Sequence, residues 1–237
     1  MEHEPSGLTA LHRVRVVDSF EELIATPFRG DVNALCWRRR ISGDFQSIIE
    51  HLEVDDGVTS IEDDDLRALT LNAAGSLARE VLLADLALLR GCGLAPTLDV
   101  INGYPKDEAA GPIVTDVYSF HVDRAPIQAD TYLCTYIGSP SEGLLNEAAV
   151  RRVDITDTRA HLLQLYGGPD DEGFAEYLRE HSFDLHYAPL PEAEPYAFGL
   201  GNLWRIAIAY PNCPVIPCIH RAPISQPGAA TRLLLIS

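Results

Sequence analysis

Apolar positions recur at helical spacing through the first third of the chain and alternate with polar ones through most of the remainder. Residues 13–17 alternate and predict an early strand. Ser19, followed three residues later by Glu22, matches a capping box, which predicts a helix starting near Phe20 and ended by Pro27 and Gly30. Residues 33–37 read as a short buried strand, and Phe45, Ile48, Ile49 and Leu52 lie at helical spacing within 43–53. The longest helical signal runs from about 64 to 90. Leu66, Leu69, Ala73, Leu77, Val81, Ala84 and Leu88 make one stripe there, Leu82, Leu86 and Leu89 widen it, and Gly91-Cys92-Gly93 stops it. A stripe this wide predicts a helix packed along the outside of a sheet, with its ionisable residues at the ends or on the opposite face. It calls for no metal ligand or cofactor contact.

After Pro96 the texture changes to strands and turns. Residues 97–101, 117–123, 131–137, 203–210, 215–220 and 232–236 read as strands, and 171–181 as a short helix. Residues 154–166 fit either. No repeat or low-complexity linker divides the chain, so one domain is expected over 1–237. Its residues 1–12 should fray, 13–93 form a helix-rich part, and 94–237 a β-rich core. Helices mostly first and strands afterwards predict a mainly β (α+β) fold, with N-terminal helices packed on one side of a β-sandwich or barrel.

Composition narrows the classes of function. A formal net charge of −17 over 237 residues argues against nucleic acid, whose phosphates call for a basic surface. No run of about 18 apolar residues appears, so no membrane-spanning helix is expected. The five cysteines, Cys36, Cys92, Cys134, Cys213 and Cys218, form an odd set without a Cys-x-x-Cys pair. With no basic-then-apolar leader pattern, this reads as a cytoplasmic protein with free thiols.

The candidate chemistry lies in the strand over 117–123. Residues two apart on a strand share a face, so His121 and Asp123 project together. An imidazole and a carboxylate on one face are two members of a facial two-histidine, one-carboxylate iron site. His220 can supply the third, and Arg232 follows it twelve residues later at the start of an apolar strand. Taken singly, each residue has an ordinary structural reading; the order and strand contexts make the set informative. Cys218, two residues before His220, leaves open a zinc site of His121, Asp123, His220 and a thiolate.

The order His-x-Asp, distal His, then Arg resembles the Fe(II)/2-oxoglutarate-dependent dioxygenases. The segments Phe120-His121-Val122-Asp123, Cys134-Thr135-Tyr136-Ile137-Gly138 with Glu142, His220-Arg221-Ala222-Pro223 and Arg232-Leu233-Leu234-Leu235 are also similar to a bacterial domain family of unassigned function. The resemblance implies a double-stranded β-helix (a jelly-roll or cupin-like barrel), with Fe(II) on His121, Asp123 and His220. It further implies that Arg232 grips the distal carboxylate of 2-oxoglutarate, the co-substrate, while dioxygen and a small-molecule substrate complete the reaction. Beyond it, Tyr136, Thr135 and Thr131 are candidates to bond the cofactor, and Ser119 shares the His121 face. Arg124 and Arg205 are candidates to meet substrate, the latter because a charge inside an apolar strand is costly unless paired. His161, His181 and His186 receive no role. Two other readings stay open: a cupin-type oxidase or dioxygenase without a 2-oxo acid, and a non-catalytic metal-binding protein.

Overall fold

The computed structural model describes residue 8 and residues 11–106, 111–224 and 231–237. Among these, the first part carries β1 (Val14–Val17), α1 (Phe20–Ala25), β2 (Ala34–Trp37), α2 (Phe45–Glu50), β3 (Val58–Ser60), α3 (Asp63–Ala68) and α4 (Ala73–Gly91). Then come β4 (Thr97–Ile101), β5 (Phe120–His121), β6 (Asp130–Ile137), β7 (Glu142–Leu144), β8 (Ala149–Arg151), α5 (Thr156–Tyr166) and α6 (Glu172–Glu180). The chain finishes with β9 (His186–Pro189), β10 (Tyr196–Ala197), β11 (Leu203–Ala207), β12 (Ile219–Arg221) and β13 (Arg232–Ile236). Of residues 1–12, expected to fray, only Leu8, Leu11 and His12 are described, and Leu8 is buried.

The fold is mainly β, with thirteen strands in two sheets among the described residues and helices beside them. One sheet has seven strands in the order β1-β2-β11-β6-β13-β4-β3, the other six in the order β10-β7-β12-β5-β9-β8. Every pairing between these strands is antiparallel except that of β1 with β2. Strand parity then divides the seven-stranded sheet into two faces. Leu35, Leu98, Val100, Tyr132, Cys134, Tyr136, Leu203, Leu233 and Leu235 pack with Leu23, Ile48, Leu82, Leu86 and Leu89 of α1, α2 and α4. Their alternates Ala34, Cys36, Ile101, Leu133, Trp204, Ile206 and Leu234 pack the other way, against Cys218 and Tyr196 of the six-stranded sheet. Thr131, Thr135 and Arg232 of the candidate site lie on this second, inter-sheet side.

The N-terminal helices sit on one side of a sheet, as the wide apolar stripe requires; each buried leucine is worth about 1.5–3 kcal/mol. Gly43, at a φ of +131°, lets α2 approach α4: a Cβ there would lie 2.5 Å from the Ala78 backbone nitrogen. Two details of the expected 64–90 helix are corrected. It is broken into α3 and α4, because the Asn72 side chain accepts from the Gly75 backbone N–H and starts a new helix. Its packed face is also not wholly aliphatic, since Asp85 is buried there among the leucines.

Strands were shorter than their patterns. The expected 117–123 strand is regular only at Phe120 and His121. Before it, the Asp116 side chain accepts from the backbone N–H groups of Tyr118 and Ser119 and turns the chain. The expected strand over 203–210 ends at Ala207, and that over 215–220 begins at Ile219. Pro214 and Pro217 have no N–H for a ladder. The 154–166 stretch resolves as the helix α5, which packs with α6 around Val153, Leu162 and Phe174.

Candidate metal centre

Two paired strands of the six-stranded sheet build the cluster. β5 pairs with β12 so that His121 stands directly opposite His220, their ring centroids 4.6 Å apart. Asp123 lies beyond the end of β5, held by a backbone bond in which Ala209 N–H donates to its carbonyl at 2.8 Å. One donor atom from each of His121, Asp123 and His220 lies within 4.8 Å of the others. His121 Nε2 is 3.8 Å from Asp123 Oδ1, and His220 Nε2 is 3.7 Å from Asp123 Oδ2. Those distances exceed hydrogen-bond reach. Two donors each about 2.1 Å from one ion can be at most about 4.2 Å apart, and each histidine lies within that reach of one Asp123 oxygen, His121 of Oδ1 and His220 of Oδ2.

The protonation pattern fits as well. His121 Nδ1 lies 2.8 Å from the Ser119 carbonyl oxygen, and His220 Nδ1 lies 3.4 Å from that of Cys218. A carbonyl only accepts, so each Nδ1 carries the hydrogen of its bond, which in a neutral ring leaves the lone pair on Nε2. Burial, and then the neighbouring His220, push the His121 pKa down to about 4, which leaves its imidazole neutral at neutral pH. Burial works to raise the Asp123 pKa; His220, the Thr131 hydroxyl and His121 outweigh it, and the carboxyl titrates below its ordinary range. Thr131 Oγ1 donates to Asp123 Oδ2 at 2.6 Å from β6 in the opposite sheet. Thr131 thus orients the carboxylate.

Arg232 opens β13 on the same inter-sheet face and is 4% exposed. Its Nη2 donates to Ser141 Oγ at 3.1 Å and lies 3.4 Å from Thr135 Oγ1, while Nη1 lies 3.5 Å from Tyr104 Oη. Its buried Nε has no hydrogen-bond partner, and no carboxylate among the described residues pairs with it. Burial pushes its pKa down, against the opposing effect of Tyr104. Gly138, at a φ of +84°, makes room for it; a Cβ there would come within 2.8 Å of Arg232 Cγ. Ser141 leads into β7, whose Gly143 stands opposite His220. Thr135 and Thr131 share a face of β6, four residues and roughly 13 Å apart. One strand therefore touches both the histidine–aspartate cluster and the arginine.

Two expected site residues face the other way. Tyr136 lies on the helix side of β6, where its hydroxyl donates to Asp85 Oδ2 at 2.6 Å and its ring stacks on Phe45. It cannot reach a cofactor between the sheets. Arg205, likewise on the helix side of β11, pairs with Asp130 at 2.7 Å and donates to the carbonyls of Leu23, Ile24 and Thr26. Its guanidinium also lies over the Phe28 ring, so its charge is matched within the sheet–α1 contact. Arg124 does line a cavity of about 470 Å³ beside the cluster, together with His121, Asp123, His186, Arg179 and Ser182. There it forms an ion pair with Asp184.

Sequence reasoning missed His186. It is buried on β9, directly opposite His121 on the flank away from His220, and its Nδ1 lies 2.6 Å from Ser119 Oγ. Four residues of unremarkable polarity make up β9, so no pattern marks it, and only strand pairing reveals the row of three histidines. Ser119 meets this row through its hydroxyl on His186, but from the turn before β5 and not from the strand expected there. Cys218 is buried near the Tyr196 hydroxyl, with its thiol pushed up to about 12 by burial, and it is not one of the clustered donors. All five cysteines are free. No helix among the described residues is long and apolar enough to cross a membrane. Comparison with protein-family models, curated proteins and solved structures yields no match to this chain.

Proposed function

We propose that the protein is a non-haem Fe(II)/2-oxoglutarate-dependent oxygenase acting on a small molecule. We read its two sheets as the walls of a double-stranded β-helix of the jelly-roll or cupin kind. The observation that carries the reading is Arg232: a buried guanidinium with an unbonded Nε, ringed by hydroxyls and lacking a carboxylate partner among the described residues. Leaving such a charge unpaired is costly. A ligand carboxylate would supply the missing partner, and a planar guanidinium suits it.

In this reading His121, Asp123 and His220 hold the metal through two imidazole nitrogens and one carboxylate, the donor set suited to ferrous iron with open positions. Bound there, the ion would supply dioxygen chemistry driven by decarboxylation of the 2-oxo acid. The chain's own groups do the positioning. The Ser119 and Cys218 carbonyls fix the ring tautomers, Thr131 fixes the carboxylate, and Thr135, Ser141 and Tyr104 present hydroxyls around the arginine. The 470 Å³ cavity on the His186 side is where a small substrate would meet the cluster, with Arg124 on its wall.

Anaerobic titration of metal-free protein with Fe(II) tests this. One site per chain is expected, lost in His121→Ala and in Asp123→Ala, and the loaded protein should then bind 2-oxoglutarate. Protein that takes iron but no 2-oxo acid would instead be a cupin-type oxidase or dioxygenase. Protein that arrives with zinc and turns over nothing would be a non-catalytic metal binder. Thr131→Val should weaken metal binding about 10- to 100-fold, the usual cost of losing a hydrogen bond to a ligand, whereas Thr131→Ser should keep most of it. Equal affinity in all three proteins would remove Thr131 from the site.

A further inference from the structure

We propose that His186 is a positioning residue for the metal site, acting on His121 through Ser119 and through its Nδ1 nitrogen. The inference rests on the metal reading above. Its geometric core is a single residue that touches both histidines: Ser119 takes the His121 Nδ1–H on its backbone carbonyl at 2.8 Å and meets His186 Nδ1 with its hydroxyl at 2.6 Å.

The direction of that second bond follows from proton counting. Ser119 Oγ also lies 3.1 Å from the Val114 carbonyl oxygen and 3.0 Å from that of Asp116. Carbonyls only accept, and the hydroxyl has one proton to give. The arrangement is best satisfied when the hydroxyl donates to a carbonyl and His186 Nδ1–H donates to Oγ. The three histidines facing the site are then held alike, each by its Nδ1–H.

His186 matters because the ladder does not reach Ser119. β5 is two residues long, and Ser119 belongs to the turn before it. That turn carries the carbonyl that fixes the His121 ring; Ala222 N–H anchors it at the Val117 carbonyl, two residues before Ser119, while Ser119 itself is held by bonds to Asp116, Val114 and His186. His186 comes from the adjacent strand, in register with His121, and is 4% exposed. It clamps the turn to the sheet and so sets where His121 Nε2 points.

Co(II) titration of metal-free protein, followed by its visible absorption bands, tests this without turnover. Asparagine can place an amide N–H where Nδ1 stands, while glutamine reaches only the Nε2 position. Wild type and His186→Asn should therefore bind Co(II) with similar affinity and similar spectra. His186→Gln and His186→Ala should lose on the order of ten-fold in affinity, with shifted bands. Ser119→Ala should lose as much as His186→Ala, and the double variant no more, because both changes break the same link. The Asn and Gln variants are the deciding pair, since each keeps a polar amide in the buried position and their thermal melts can be matched. Weak binding by Asn with near-wild-type binding by Gln would overturn the proposal and move the role to Nε2. Undiminished binding by every variant would reduce His186 to packing. Failure of wild type to bind Co(II) or Fe(II) would instead remove the metal reading itself.

Discussion

Arg232→Ala should abolish 2-oxoglutarate binding by the Fe(II)-loaded protein while leaving metal binding nearly unchanged. Removing one partner of a desolvated charge pair costs about 2–5 kcal/mol, roughly 30- to several-thousand-fold in affinity. Anaerobic calorimetric titration of wild type and variant reads this directly. Arg232→Lys should recover only part of the loss, because an ammonium lacks the planar fork. The same site predicts an opposite effect on stability. Among the described residues the buried guanidinium meets only hydroxyls, so Arg232→Met, which keeps the volume and removes the charge, should leave urea stability equal or higher. Equal 2-oxoglutarate binding by wild type and Arg232→Ala would sink the co-substrate assignment, as would the absence of binding in wild type.

Asp85→Ala should be among the most destabilising single changes in the chain, by about 3–5 kcal/mol in urea unfolding. Asp85 is 2% exposed on the packed face of α4, where it receives Arg39 through both guanidinium Nη atoms and the Tyr136 hydroxyl. Arg39 also donates to the Gly201 carbonyl at 2.7 Å and stacks over Trp37. Deleting the carboxylate strands a buried cation between helix and sheet. Tyr136→Phe removes one hydrogen bond and leaves the ion pair, so about 1 kcal/mol is expected. Because Tyr136 faces the helices, Tyr136→Phe should leave 2-oxoglutarate affinity unchanged. A large loss of that affinity would return the residue to the site. A stable Asp85→Ala protein would mean that the aliphatic stripe alone holds α4 in place.

Much of this protein is local in origin and therefore legible in the chain. The capping serine before α1, the alternation through β6 and the apolar run of β13 are set by nearest-neighbour chemistry, and each appears where its pattern lies. The break at Asn72 was equally local: an asparagine whose side chain caps the next turn is a helix start, and the long leucine stripe obscured it. His121 and Asp123 could be paired from spacing, because strand parity puts i and i+2 on one side. Parity does not say which side meets what. Tyr136 and Thr135 are neighbours on β6, yet one reaches α4 and the other the inter-sheet arginine, and only the seating of the helices decides between them. Arg205 reads as a stray charge until α1 brings three carbonyls to it. His186 becomes part of the histidine row only through register between strands distant in sequence. Periodicity along a strand is a property of the backbone and travels with the sequence. The partner each face receives depends on how separate elements close over one another, and that the tertiary structure alone determined.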